Sequence, residues 1–290
     1  MSRACLVDTT KCIGCRACQV ACKQWNTLPA EKTTRQRGSY QNPPTLTAES
    51  YCLVKFNEVE SRNVPGGLKW VFVKMQCMHC DHPSCVSACP VTALRKTAQG
   101  PVVYEASRCI GCRYCIWACP FGVPTAEWDS LAPRIRKCTF CMDRIAADLV
   151  PARINDQPLS DETRERLADS QGSPACVEVC PTKVLLFGQR DELIAEAWRR
   201  IKAAPRTYVP HVYGEREAGG TGYLYLSSVT FEKLGFRTDI GDRSYPSYAE
   251  AALDAVPGMV LAVGGLLGGL SWLHCRRNKK AMEEHSTEQE

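Results

Sequence analysis

Apolar residues in this chain come in short runs cut by glycine, proline and cysteine, so the pattern predicts short strands and short helices. Cys5–Asp8 reads as a strand. Tyr51–Glu60 and Leu68–Met75 are rich in β-branched and aromatic residues, and Pro65, Gly66 and Gly67 between them predict a hairpin. Pro101–Tyr104 and Val184–Phe187 read as two more short strands. Leu193, Ile194, Ala197, Trp198 and Ile201 recur at helical spacing, which predicts an amphipathic helix over Asp191–Ala203 with Asp191 as its cap. Segment 27–49 is polar and has no period. Segment 205–248, rich in Tyr, Gly and Pro, reads as an irregular arm laid on a partner rather than packing a core of its own. Charges alternate over Asp161–Asp169, so 142–172 reads as a surface excursion carrying a solvated helix.

One apolar run is long. Leu253–Leu273 holds Asp254 as its only charge, enough to span a bilayer core. Arg276, Arg277, Lys279 and Lys280 follow it, while Arg243, Glu250 and Asp254 stand before or at its start. The positive-inside rule then puts the C-terminus in the cytoplasm and the rest of the chain on the other side. Gly264 with Gly268, and Gly265 with Gly269, suit close approach to another membrane helix. His274, just past the span, reads as an interfacial histidine without a ligand role. Met1–Val7 has no apolar stretch or cleavage site of a signal peptide. A chain exported without its own signal crosses folded, carried by a partner that has one.

Cysteine changes the picture most. Of nineteen, sixteen fall into four groups of four. Cys12, Cys15, Cys18 and Cys22 are spaced C-x2-C-x2-C-x3-C, and Cys109, Cys112, Cys115 and Cys119 repeat that spacing and add Pro120. Cys77, Cys80, Cys85 and Cys89 widen one gap and end in Pro90. The fourth group is split into Cys138 and Cys141, then Cys176, Cys180 and Pro181. A C-x2-C-x2-C-x3-C-P run is the ferredoxin signature, and its fourth cysteine ligates the other cluster of a pair. Zinc ribbons use C-x2-C pairs and leave the C-x3-C tails unexplained. A disulfide scaffold would be short and loop-rich, and this chain has 290 residues. The residues therefore point to four 4Fe-4S clusters and a role in carrying electrons. Strand, cysteine run, strand, cysteine run is the internal repeat of a two-cluster ferredoxin. His79 and His82 lie inside the second group, where a supporting role suits them better than ligation. Cys5, Cys52 and Cys275 are left over: the first two read as small buried apolar residues and the third as a membrane-surface thiol.

The formal charge of +5 looks basic, but each loaded site carries a net of about −2, which brings the whole to about −3. Lys11, Arg16, Lys23, Arg108, Arg113, Arg134, Arg136 and Lys137 then read as counter-charges that raise local reduction potentials. A nucleic-acid patch is not indicated, because the basic residues are spread out and offset by the clusters.

On these motifs the chain resembles the four-cluster electron-transfer subunits of dimethyl-sulfoxide-reductase-type molybdenum and tungsten enzymes. Within them it is most similar to the iron–sulfur (beta) subunit of membrane-bound formate dehydrogenase. The residues that carry this are Cys12–Cys22 with Trp25 and Asn26, Cys109–Pro124, and Tyr213-Gly214-Glu215 with Gly219-Gly220-Thr221, followed by one C-terminal span. Segment 142–172 looks longer than the family usually has. The resemblance implies crossed ligation: Cys12, Cys15, Cys18 and Cys180; Cys138, Cys141, Cys176 and Cys22; Cys77, Cys80, Cys85 and Cys119; Cys109, Cys112, Cys115 and Cys89. It implies no catalytic residue in this chain. A separate catalytic subunit with molybdenum or tungsten on a pterin oxidises formate, and a membrane cytochrome b-type subunit receives the electrons and reduces quinone.

The fold class that follows is α+β: two pseudo-symmetric two-cluster ferredoxin-like units, an irregular C-terminal arm and one C-terminal transmembrane helix. Residues 1–35 with 136–190 form the first unit, and 36–135 the hairpin insertion and second unit. Residues 191–252 hold the amphipathic helix and partner-binding arm, 253–274 the anchor and 275–290 a cytoplasmic tail. Two rival readings stay open: the equivalent subunit of a membrane-bound hydrogenase, told apart by the metal of the co-purifying partner, and a stand-alone polyferredoxin-like carrier, told apart by purification as a loaded monomer.

Overall fold

A computed structural model of the chain describes residues 2–35, 38–61, 65–145, 153–154, 157–158 and 172–287. Its strands are β1 (Arg3–Asp8), β2 (Cys52–Glu60), β3 (Leu68–Gln76), β4 (Leu94–Lys96), β5 (Val102–Tyr104), β6 (Thr125–Ala126), β7 (Ile135–Arg136), β8 (Arg153–Ile154), β9 (Gln157–Pro158), β10 (Leu185–Gln189) and β11 (Tyr223–Leu226). Its helices are α1 (Ala17–Trp25), α2 (Ser84–Ser87), α3 (Tyr114–Trp117), α4 (Met142–Ile145), α5 (Ala175–Glu178), α6 (Arg190–Ala203) and α7 (Tyr245–Thr287). The helix expected within Asp161–Asp169 lies outside the described residues. The chain divides into two compact units, 1–245 and 246–290.

In the first unit β1 is the middle of a three-stranded sheet, antiparallel to β10 and parallel to β11. Its alternation sorts two cores. Ala4 and Leu6, with Leu224 and Leu226 of β11, pack on Leu193, Ala197 and Ile201 of α6. Burying Leu193 and Ile201 contributes about 2 kcal/mol each. Cys5 and Val7, with Tyr223 and Tyr225, face the opposite way into a core that includes Phe140, Met142 and Cys176. The sheet thus separates a helix layer from the cysteine runs. α1 packs on α5, and α2 on α3, which brings the first cysteine run to the fourth and the second to the third.

The hairpin forms as expected, with Cys52 opposite Gln76 and Glu60 opposite Leu68. Gly66 and Gly67 take positive φ of 83° and 72° in its turn, a conformation open to glycine.

Two local expectations are corrected. Asp191 does not cap α6. Gln189 holds that position without a side-chain bond, and Asp191 and Glu192 lie in the first turn, where their charge favours the helix dipole. Segment 205–248 is not an irregular arm without a core. It supplies β11, and Tyr213, Tyr223, Tyr225 and Leu234 are all fully buried. Arg190 donates to the carbonyls of Glu215 (2.8 Å) and Thr221 (3.0 Å), Trp198 donates to Glu215 (3.0 Å), and Thr221 donates to the Tyr223 carbonyl (2.7 Å). These bonds explain the Tyr213–Thr221 glycine-rich stretch as a clamp on β11.

In the second unit α7 carries the whole apolar run, Leu253–Leu273, with Pro257 inside it. It is long and apolar enough to cross a membrane, with a mean hydropathy of 1.7 over its most apolar window.

Candidate metal centres

The four cysteine runs are built on two backbone patterns. In the first and third, a 3-10 turn (Thr9–Lys11, Ala106–Arg108) leads into Cys-Ile-Gly-Cys-Arg. Gly14 and Arg16 have φ of 69° and 62°, and Gly111 and Arg113 have 72° and 64°. These left-handed residues turn the chain on either side of Cys15 and Cys112, and the next cysteine, Cys18 or Cys115, lies in the first turn of a short helix. A Cβ on Gly111 would sit 2.9 Å from the Pro133 carbonyl oxygen, so that position has no room for a side chain.

The second and fourth runs share the other pattern. His79 and Phe140 take the left-handed turn between two cysteines (φ 49° and 60°). Extended Pro83 and Pro174 then open the short helices that carry Cys85 and Cys176. The split fourth group is therefore the second group's nest with a long insertion, and the shared Pro-x-Cys was its signal in the sequence.

Backbone N–H groups turn toward the sulfurs. Gly111 N–H points to Cys109 Sγ and Phe140 N–H to Cys138 Sγ, each at 3.4 Å. After the fourth cysteine the chain folds back at Pro, so Ala93 N–H reaches Cys89 Sγ at 3.2 Å and Val184 N–H reaches Cys180 Sγ at 3.3 Å. At Cys22, which lacks the proline, Asn26 Nδ2 donates to the sulfur at 3.7 Å and to the Cys22 carbonyl at 2.9 Å.

Neighbouring sulfurs come from different runs. Cys12 lies beside Cys180 and Cys15. Cys22 lies beside Cys138 and Cys141, and Cys141 beside Cys176. Cys80 is flanked by Cys77, Cys119 and Cys85. Cys115 is flanked by Cys109, Cys112 and Cys89. Two of these sets ring a visible cavity. One is lined by Cys22, Cys138, Cys141 and Cys176 together with Cys52, Lys74 and Tyr223. The other is lined by Cys89, Cys109, Cys112 and Cys115. Among the described residues no three His, Cys, Asp or Glu side chains converge as ligands of a single ion do. The sulfurs instead stand around a space, as a multi-iron core with one thiolate per iron requires.

Burial pushes the Cys85, Cys115 and Cys138 thiols up to about 12. Such thiols stay protonated in the bare chain and become thiolates only against a bound cation, which is the chemistry of a metal nest. Donor set, inward N–H groups and cavities all fit 4Fe-4S clusters.

The basic residues expected as counter-charges are mostly engaged elsewhere. Lys23 pairs with Glu31 at 3.2 Å, Arg108 with Glu105 at 3.0 Å and Arg136 with Glu127 at 2.7 Å. Arg16 lies over the Phe56 ring and Arg113 over Trp128. Of the eight, Lys137 is buried, donating to the carbonyls of Val102 and Cys138. Two further lysines reach the nests unforeseen. Lys96 donates to the Cys80 carbonyl at 2.7 Å and pairs with Asp81. Lys74 lines the first cavity. Burial opposes its charge, and the Cys176, Cys52, Cys138 and Cys18 sulfurs, once they are thiolates, more than offset this and raise it well above the ordinary lysine range.

His79 is fully buried, and its Nδ1 accepts the Val102 N–H at 3.0 Å, so the ring proton sits on Nε2. Of the remaining cysteines, Cys5 is buried in the core and Cys275 is exposed on α7. Cys52 is buried, but it is more than apolar filling. It lines the first cavity, shares a hydrogen bond with the Cys22 sulfur and donates to the Cys18 carbonyl at 3.6 Å.

Comparison with known proteins agrees with this geometry. Two models described as "4Fe-4S dicluster domain" match residues 11–93 and 68–159. A Nitratidesulfovibrio vulgaris protein is 39% identical over 283 residues, 97% of this chain and 69% of the relative. The nitrate-inducible formate dehydrogenase iron–sulfur subunit of Escherichia coli K12 is 35% identical over 224 residues, 76% of this chain and 66% of its own length. The hydrogenase-2 operon protein HybA of E. coli O157:H7 is 33% identical over 305 residues, 95% of this chain and 84% of the relative. This chain thus spans about two thirds of the formate dehydrogenase subunits it matches. Its cysteine nests, its two dicluster domains and these relatives together show that the chain belongs to the iron–sulfur electron-transfer subunits of oxidoreductase complexes.

Proposed function

We propose that this chain carries electrons through four 4Fe-4S clusters, from a molybdenum or tungsten formate dehydrogenase catalytic subunit to a membrane cytochrome b-type subunit that reduces quinone. The observation that carries this reading is the order of the nests. Cys18 of the first set neighbours Cys176 of the second. Cys138 of the second neighbours Cys77 of the third. Cys85 of the third neighbours Cys115 of the fourth. These contacts, shared within common cores, support a series in which each set adjoins the next. Cys15 and Cys112, in the two end sets, are the exposed cysteines of the runs. Around these ends Ile13 and Val20, and Ile110, Tyr114 and Trp117, expose large apolar surfaces suited to cover by other subunits.

In this reading the clusters are held by Cys12, Cys15, Cys18 and Cys180; by Cys22, Cys138, Cys141 and Cys176; by Cys77, Cys80, Cys85 and Cys119; and by Cys89, Cys109, Cys112 and Cys115. Each bound cluster supplies a one-electron couple. The chain's own part is to space the sulfurs, exclude water with the Tyr213–Tyr225 core, and aim N–H groups at the sulfurs to favour the reduced form. α7 anchors the subunit in the bilayer, with its basic end in the cytoplasm and the cluster unit on the far side.

A second reading is favoured by one observation. The HybA alignment reaches 95% of this chain, against 76% for the formate dehydrogenase subunit, so the donor would be a hydrogenase. One experiment separates the two. The complex is purified in mild detergent, its partner's metal is measured, and cluster reduction is followed spectroscopically with formate or dihydrogen. Molybdenum or tungsten with reduction by formate supports the first reading. Nickel with reduction by dihydrogen replaces it with the second, and reduction by neither donor sinks both.

A further inference from the structure

Lys74 sits on β3 opposite Val54 and is 3% exposed. Its Nζ donates to Gln76 Oε1 at 2.8 Å and stands 5.1 Å from the centre of the Tyr223 ring. Gln76 Nε2 donates to the Tyr225 hydroxyl at 2.6 Å, and that hydroxyl donates to the Lys74 carbonyl at 2.9 Å. This closed loop of bonds fixes the ammonium in place. It lines one cavity with the side chains of Cys22, Cys52, Cys138, Cys141 and Cys176, and among the described residues it forms no ion pair with Asp or Glu. The other lysines at the nests differ. Lys137 is taken up by two backbone carbonyls, and Lys96 pairs with Asp81.

A buried ammonium without a carboxylate is costly unless an anion lies beside it. Lys74 lines the cavity ringed by Cys22, Cys138, Cys141 and Cys176, and its reach extends to Cys18 of the adjoining set. A cluster with four thiolates carries a net charge of about −2, and one electron more on reduction. A fixed positive charge stabilises the reduced form more than the oxidised one.

We propose that Lys74 is the buried counter-charge of this pair of sites: it raises the reduction potential of the cluster held by Cys22, Cys138, Cys141 and Cys176, and by a smaller amount that of the cluster held by Cys12, Cys15, Cys18 and Cys180. The proposal rests on the cluster reading above. Lys74 acts as a tuning residue and ligates nothing.

The test is a redox titration followed by electron paramagnetic resonance on the full chain in its purified complex, with iron and sulfide measured on the same samples. In Lys74→Met the equilibrium constant for reducing one cluster should fall at least tenfold, about 59 mV for a one-electron couple. A second cluster should fall less, and the other two should stay within about threefold, with iron content unchanged. Lys74→Arg should keep all four near their original values. Gln76→Glu sets a carboxylate on the ammonium and should lower the same potential without removing the lysine. It carries the test if the methionine variant takes up less iron. Four unchanged midpoints in a fully loaded Lys74→Met, or in a fully loaded Gln76→Glu where the first does not assemble, overturn the proposal. Unsubstituted protein with iron for fewer than four clusters overturns the cluster reading instead.

Discussion

Cys180 shows what a single residue decides here. It is far in sequence from the first cysteine run, yet it packs against the same core as Cys12 and Cys18, and Val184 N–H fixes its sulfur. Cys180→Ser should therefore remove or distort the signal of the cluster assigned to Cys12, Cys15 and Cys18 in spectra of the reduced protein. Disturbance confined to the cluster of Cys138, Cys141 and Cys176 would contradict the crossed assignment. Gly111→Ala should be as damaging without touching a ligand, because its Cβ meets the Pro133 carbonyl and its φ is left-handed. Iron per chain should drop by about a quarter, the share of one cluster in four. Three cysteine groups were legible because thiolate spacing is local and leaves its mark within about a dozen residues, and the split fourth from its Cys-x2-Cys and Cys-x3-Cys-Pro halves. Lys74 was not. It stands in a strand whose neighbours suggested an ordinary hairpin, and it is enclosed by residues from far along the chain, Tyr223 of β11 and the Cys138 and Cys176 runs.

At the scale of elements, legibility follows sequence distance. The hairpin β2–β3 could be read from its turn residues, and α6 from its apolar stripe. β11 could not, because it pairs in parallel with β1 across most of the chain, and a Tyr-rich run between glycines carries no local mark of that partner. Its docking depends on Gly214, where a Cβ would strike the Tyr223 carbonyl and the Thr221 hydroxyl at a φ of 96°. Gly214→Ala should cost about 2–4 kcal/mol and lower the unfolding midpoint, followed by circular dichroism, by roughly 5–10 °C. α7 makes a different prediction. Truncation after Ala249 leaves every proposed ligand and the whole β-sheet intact, so cluster content should persist. Electron flow from the donor to a soluble dye should continue while quinone reduction falls, and the protein should leave the membrane fraction. Full quinone reduction by the truncated chain would show that α7 is not the coupling element.

For the whole molecule, charge and order act together. The bare chain is formally +5, and four loaded sites bring it to about −3. Five of the eight cations expected beside the nests, Lys23, Arg108, Arg136, Arg16 and Arg113, are bound to carboxylates or lie over aromatic faces, so the charge balance at loaded sites would fall to buried lysines and inward N–H groups. The proposed series of nests, with Cys15 and Cys112 in its end sets, carries electrons only if all four hold iron. Iron and acid-labile sulfide, measured on anaerobically purified protein, test this most directly. The account predicts about sixteen of each per chain, from four clusters of four irons. Iron and sulfide for two clusters, or zinc in stoichiometric amount, would contradict it.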